Sequence, residues 1–327
     1  MLRLIYMGTP QFAVPALEAL VRGAAPGAVL QEGYEIVAVI TRPDKPSGRK
    51  QEIVYSPVKQ TALAHGLTVW QPGSLKKVEN QTALAAYQPD LLIVAAFGQI
   101  LPQAVLDLPR YGTLNIHASL LPAYRGSSPI SAAILQGESE TGVTIMLLDA
   151  GIDTGPMLLK RAIPLAGDET TASLTPKLAE LGAAALLEAL PRWIQGQIVP
   201  QAQDHERATH TRMIQKEDGR IDWSRPADAL ARAVRAYIPW PTASTTWRGK
   251  VLKILSASPQ AATSAAGQPG QVAFGTIARA NGTRKALSIA TGNGNLLVEQ
   301  VQLEGKKSMS ADEFLRGYAG IVGERLE

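Results

Sequence analysis

Over its first two hundred residues the chain alternates short runs of branched apolar residues with segments of helical spacing. Residues 2–7, 35–40, 67–70, 90–96, 112–117 and 142–148 read as strands. Between them, residues 12–23, 56–65, 78–88 and 127–136 carry helical spacing and helix-compatible content. Strands separated by helical crossovers pair in parallel, so the alternation predicts a Rossmann-like, doubly wound α/β domain with a mostly parallel sheet and helices on both faces. A long helix over residues 173–193 follows, with Gly196 just past its end as a stop signal. The polar stretch 205–213 then separates a first domain, residues 1–204, from a second, residues 214–327. In the second, residues 226–237 read as an amphipathic helix ended by Pro239-Trp240-Pro241. Five short strand-like runs (243–247, 250–257, 271–278, 286–290 and 295–302) predict a smaller OB-like β-barrel.

Two domains are also what 327 residues imply, since single cores stop growing below that length. The chain has no cysteine, which excludes disulfides, thiolate nucleophiles and cysteine-based metal sites. Of its four histidines only His205 and His210 approach metal-ligand spacing; they sit in a polar stretch and read as surface, so no metal is expected. No apolar run approaches the roughly 20 residues that span a bilayer, and residues 2–7 are too few for a secretion signal, so a cytoplasmic protein without a membrane partner is expected. Charge is unevenly spread. Residues 1–205 carry 15 Lys and Arg against 17 Asp and Glu, and residues 206–327 carry 17 against 11. A basic second half suggests a polyanion partner, and solvated surface lysines are the plain alternative. The Gly8-Thr9-Pro10 turn lacks the G-x-G-x-x-G spacing of a dinucleotide site, so no nicotinamide or flavin cofactor is expected.

The chemistry concentrates in N-I-H-A-S-L-L-P-A-Y-R-G-S-S-P, from Asn115 to Pro129. Successive strand side chains alternate between faces, so Asn115 and His117 share one face at the strand's carboxyl end. Ligands of open α/β sheets bind beyond that end. An amide beside an imidazole can polarise a carbonyl and move a proton, although an isolated pair of this kind is more often structural. A second polar cluster, from Asp149 to Gly155, places Asp153 in a glycine-flanked loop. If folding brings it to His117, Asp153 can support a protonated imidazole.

Together these residues resemble the folate-dependent formyltransferases. The likeness runs nearly end to end, through M-G-T-P-Q-F-A, R-P-D-K-P-S-G-R, A-F-G-Q-I-L-P, N-I-H-A-S-L-L-P-A-Y-R-G and G-V-T-I-M-L-L-D-A-G-I-D-T-G. K-E-D-G-R-I-D-W, A-Y-I-P-W-P and G-K-K-S-M-S in the second half point to the branch that acts on charged tRNA. The resemblance implies transfer of a formyl group from 10-formyltetrahydrofolate to the α-amino group of methionine on charged initiator tRNA. It implies Asn115, His117 and Asp153 as the catalytic trio, with Asn115 and protonated His117 donating to a tetrahedral oxyanion. It places the folate on Ser119, Leu120, Leu121 and Pro122, with Phe97 and Gly98 in a wall of the pterin site. A loop entering the tRNA acceptor arm falls on Arg42, Lys45, Arg49 and Lys50, with Lys216, Lys306 and Lys307 expected to hold further backbone. No protein partner is implied. After Arg49 this chain reads Lys50-Gln51-Glu52 where relatives usually continue with a glycine and two lysines, and residues 23–33 read as a surface insertion. Trp247 is a candidate base-stacking residue, and Trp223 and Trp240 read as core or hinge. The competing readings are a formyltransferase for an amino-sugar nucleotide or for glycinamide ribonucleotide, and a non-catalytic tRNA-binding protein on the same fold.

Overall fold

The computed structural model describes residues 1–47, 52–261, 267–279 and 282–327. It divides into two compact units. The first comprises Met1–Pro129, Glu140–Pro164 and Leu174–Thr211; the second comprises Ile130–Ser139, Leu165–Ser173 and Arg212–Glu327. No helix among the described residues is long and apolar enough to cross a membrane.

Along residues 1–211 the elements run β1 (Leu2–Gly8), α1 (Val14–Gly23), β2 (Tyr34–Ile40), β3 (Lys45–Ser47), β4 (Glu52–Val54), α2 (Pro57–Ala64), β5 (Val69–Trp70), α3 (Val78–Ala85) and β6 (Leu91–Ala95). They continue with α4 (Gln103–Leu106), β7 (Thr113–His117), β8 (Arg125–Gly126), α5 (Pro129–Gln136), β9 (Glu140–Leu147), β10 (Met157–Pro164), α6 (Thr171–Ile194) and β11 (His210–Thr211). Seven strands form one sheet in the order β10-β9-β7-β6-β1-β2-β5. The strands from β7 to β5 are parallel, as expected for buried apolar runs joined by helical crossovers. Strand order reverses between β1 and β6, and the Thr9 hydroxyl after β1 donates to the Phe97 carbonyl after β6 at 3.2 Å. That reversal opens the crevice in which such sheets bind ligands. β9 and β10 are antiparallel, an addition the alternation did not announce. β10 is an edge strand carrying Lys160, Arg161 and Pro164, a composition that blunts edge pairing and hides the strand from an apolar pattern search. Residues 205–213 are not a bare connector, because β11 pairs in parallel with β8.

In the second unit α7 (Ala227–Ala236) buries Leu230, Ala231 and Val234, the inward stripe of an amphipathic helix. It precedes β12 (Ser244–Trp247), β13 (Lys250–Gln260), β14 (Val272–Arg279), β15 (Gly282–Ala290), β16 (Asn295–Leu303), β17 (Met309–Ser310) and α8 (Ala311–Gly317). The order β12-β13-β16-β15-β14 is antiparallel throughout, with β17 on β16. An open sheet would leave β12 and β14 as free edges. Residues 324–327 cover both: Thr246 and Glu327 exchange backbone hydrogen bonds at 2.9 and 3.1 Å, and Val272 donates to Glu324 at 2.9 Å. The OB-like barrel is closed in this way. α8 went unpredicted, although Ser310 and Glu313 form a capping box whose S-x-x-E spacing is legible.

Candidate active site

β7 is flanked by β6 and β9, so all five of its residues are buried and its polar side chains must find partners inside the protein or wait for a ligand. Asn115 is 8 % exposed and His117 5 %. The His117 Nε2 lies 2.9 Å from the Tyr124 carbonyl oxygen, and its Nδ1 lies 3.5 Å from Oδ2 of Asp153. A neutral imidazole donates from only one nitrogen, whereas acceptors face this ring on both sides. The carboxamide of Asn115, by contrast, makes no hydrogen bond among the described residues.

The loop after β7 is tightly tied. The Ser119 hydroxyl donates to the Ala123 carbonyl at 2.6 Å, and the Thr144 hydroxyl donates to the Ser119 carbonyl at 2.7 Å while accepting from the Leu121 amide at 3.1 Å. Tyr124 is left-handed, with φ 61°, which turns its carbonyl onto His117. The next turn ends at β8, whose Gly126 has φ 104°. A Cβ there would lie 2.2 Å from the Thr211 carbonyl oxygen, so only glycine fits against β11. The Gly126 amide donates to Oδ2 of Asp153 at 2.8 Å, the same oxygen that faces His117.

The other expected residues divide by burial. Phe97 is part of the apolar core and Leu121 packs with Met146 and Met157, so each offers a ligand its backbone rather than its side chain. Ser119 is buried, and Leu120 and Pro122 are half-buried. Gly98 has φ 78°, and a Cβ placed on it would lie 3.5 Å from the Arg42 guanidinium, which sets that cation against the loop after β6. Lys45 on β3, Lys216, Lys306 and Lys307 are exposed and make no ion pair among the described residues. Arg212, Arg232, Arg248 and Arg316 are instead each tied to a carboxylate. Arg49 and Lys50 lie outside the described residues.

One aromatic expectation is corrected. Trp247 is buried, its ring packed edge-on against Phe314 and Tyr318 and its Nε1 donating to Glu324 at 2.6 Å, so it presents no face to a base. Trp223 is buried in the core, and Trp240 is exposed, so of the core and hinge readings only the hinge applies to it. Among the described residues no group of three or more His, Cys, Asp and Glu could hold a metal ion. Sequence reasoning missed Tyr124, Gly126, Arg125 and Gln203. The first two contribute backbone groups, and only the turn chemistry around them could have signalled it.

The profile of the family described as "Formyl transferase" matches residues 3–190, and that of "Formyl transferase, C-terminal domain" matches residues 213–319. A methionyl-tRNA formyltransferase of Thiobacillus denitrificans is 48% identical over 325 residues, covering 99% of this chain and 99% of the relative. One from Citrifermentans bemidjiense is 42% identical over 328 residues, covering 99% and 97%. Among solved structures, an N-formyltransferase from Helicobacter canadensis, in complex with folinic acid and dTDP-3-aminofucose, aligns with a TM-score of 0.64 at 18% identity, covering 91% of this chain and 99% of its own. At that identity the likeness is one of fold.

Proposed function

This chain belongs to the formyl transferase family, and from that membership we propose that it moves the formyl group of 10-formyltetrahydrofolate to the α-amino group of methionine on charged initiator tRNA. The observation that carries the reading is the buried His117 ring set against the Asp153 carboxylate, with the unbonded Asn115 carboxamide on the same strand. Residues 1–204 bind the folate and carry the chemistry, residues 205–213 connect, and residues 214–327 hold the acceptor arm. The reaction takes place in the cytoplasm, where charged tRNA is made.

The loops after β6 and β7 suit a flat ligand: the backbone turns sharply through left-handed Ala96 and Gly98, and half-buried Leu120 and Pro122 offer apolar contact. The bound folate supplies the formyl carbon; every other role falls to the chain. An aminoacyl α-amine needs little activation, because a free α-amine already titrates near 8. The requirement is charge stabilisation as the carbonyl oxygen becomes an oxyanion. Asn115 Nδ2 donates to that oxygen, a contribution of about 2.7–4 kcal/mol for one preorganised donor. His117 donates from Nε2 by exchanging the Tyr124 carbonyl for the oxyanion, while Asp153 supports the imidazolium at Nδ1. The bond from the α-nitrogen to the formyl carbon forms first, giving the tetrahedral oxyanion, and its collapse restores the carbonyl and breaks the bond to the folate nitrogen. The proton shed by the amine reaches the folate nitrogen by way of Asp153 and water. Exposed Arg42, Lys45, Lys216, Lys306 and Lys307 are available to phosphates, and Arg49 and Lys50 add two further cations to the same stretch of sequence.

The test is kinetic. Asn115→Ala should lower kcat by roughly 10²–10³-fold, the cost of one oxyanion donor. His117→Ala should abolish formylation of charged initiator tRNA with tRNA affinity nearly retained. Normal turnover by either variant would remove that residue from the chemistry. A panel of charged initiator tRNA, charged elongator tRNA, an amino-sugar nucleotide and glycinamide ribonucleotide identifies the acceptor, and preference for either small nucleotide would defeat the assignment.

A further inference from the structure

Asp153 meets His117 from a backbone that a non-glycine residue adopts reluctantly. Its φ of 52° is left-handed. That conformation costs on the order of 1–2 kcal/mol and persists where the surroundings over-determine it. Here one side chain ties the turn's backbone on both sides of Thr154. The carbonyls of Asp153 and Gly155 both accept from Nε2 of Gln203, at 2.8 and 2.7 Å. Gln203 is 5 % exposed, and its own Oε1 accepts from Nε and Nη2 of Arg125 at 3.0 and 2.8 Å. Arg125 is 3 % exposed, and its one other side-chain partner among the described residues is Nδ1 of His205, at 3.2 Å.

A buried guanidinium ordinarily answers its desolvation cost with a carboxylate. This one meets a neutral amide. The amide is the side chain that can accept at one end and donate at the other, and a guanidinium, which only donates, forces the oxygen end toward itself. Nε2 is therefore obliged to face the Asp153 turn. The same two-residue strand acts again through Gly126, whose amide holds the Asp153 carboxylate directly. β8 thus grips the turn at its carboxylate and, through Gln203, at its backbone.

We infer that Arg125 and Gln203 are positioning residues for formyl transfer: the buried guanidinium orients the Gln203 amide, and the amide clamps the Asp153 turn so that its carboxylate is presented to His117. The inference rests on the reading of Asn115, His117 and Asp153 as the catalytic trio.

Gln203→Glu isolates the clamp, because it keeps the acceptor for Arg125 and deletes the donor to both carbonyls. Single-turnover rates, steady-state constants and thermal unfolding are measured for the full chain carrying Gln203→Glu, Asp153→Ala, or both. A displacement of about 1 Å at a reacting group costs up to about 10²-fold, so Gln203→Glu should lower kcat roughly ten- to a hundredfold. KM for tRNA and for formyl-folate should stay within about threefold, since ground-state contacts are untouched. In the Asp153→Ala background the same substitution should cost nothing further, because the group it positions is gone. Full kcat in Gln203→Glu beside a crippled Asp153→Ala overturns the clamp alone. Equal losses from Gln203→Glu in both backgrounds overturn it too, marking a general structural role. Full activity in Asp153→Ala overturns the trio and the clamp with it. Should the Gln203→Glu chain not fold, Gln203→Asn, which withdraws donor and acceptor together by one methylene, is judged on the same outcomes.

Discussion

Three polar side chains share one face of β7, and each stands in a different relation to the protein around it. Thr113 has a buried hydroxyl with no hydrogen-bond partner among the described residues, a condition that costs about 1–3 kcal/mol. Valine has the same shape without the oxygen. Thr113→Val should therefore stabilise the chain by roughly 1 kcal/mol, seen as a higher urea midpoint at unchanged m-value. A lower midpoint would mean that the hydroxyl has a partner after all. His117 has an acceptor at each nitrogen, and the Asn115 amide has no partner among the described residues. That these two lie together was readable from the strand's period of two. Their partners were not, because the Tyr124 carbonyl and the Gly126 amide are groups every residue type carries, and Gln203 lies in a stretch with no motif of its own.

Among the elements, the β3–β4 hairpin that carries Lys45 is secured at its base by a small polar cluster. Lys59 and Gln71 both donate to the Asp44 carboxylate, and Gln71 also donates to the Arg42 carbonyl. The Lys59 hydrogen bond, then that of Gln71, holds the Asp44 carboxyl below its ordinary value. A carboxylate depressed in the folded state adds stability above its unfolded value, near 3.9, and loses it as pH falls through the folded one. Asp44→Asn should thus be destabilising at neutral pH, with the gap to the parent chain narrowing below about pH 4. Urea titrations at pH 6 and pH 3 measure this, and an equal gap at both would refute it. The apolar parallel strands and α7 were readable because their periodicity is strong. β10 escaped because an edge strand is half polar. Trp247 was misplaced because the alternation in β12 pairs it with Thr245 but leaves open which face is inward; packing against Phe314 settles that.

For the whole molecule, the charge asymmetry becomes a claim about binding. Lys45, Lys216, Lys306 and Lys307, exposed and without ion pairs among the described residues, give a polyanion something to displace counterions from, whereas the arginines tied to carboxylates do not. Replacing Lys306 and Lys307 with alanine should lower the slope of log K against log salt for tRNA by up to about 0.9 for each phosphate left without its lysine, with little change in kcat. An unaltered slope would place the tRNA elsewhere. The sequence by itself determined the two architectures, the strand end bearing Asn115 and His117, and the family, because periodicity and motif are properties of neighbouring residues. The tertiary structure alone decided that Asp153 turns onto His117, that Gln203 and Arg125 stand behind it, and that residues 324–327 close the barrel. Those outcomes depend on loops returning across long stretches of chain to meet backbone groups, and hydrogen bonds of that kind leave no mark on residue order.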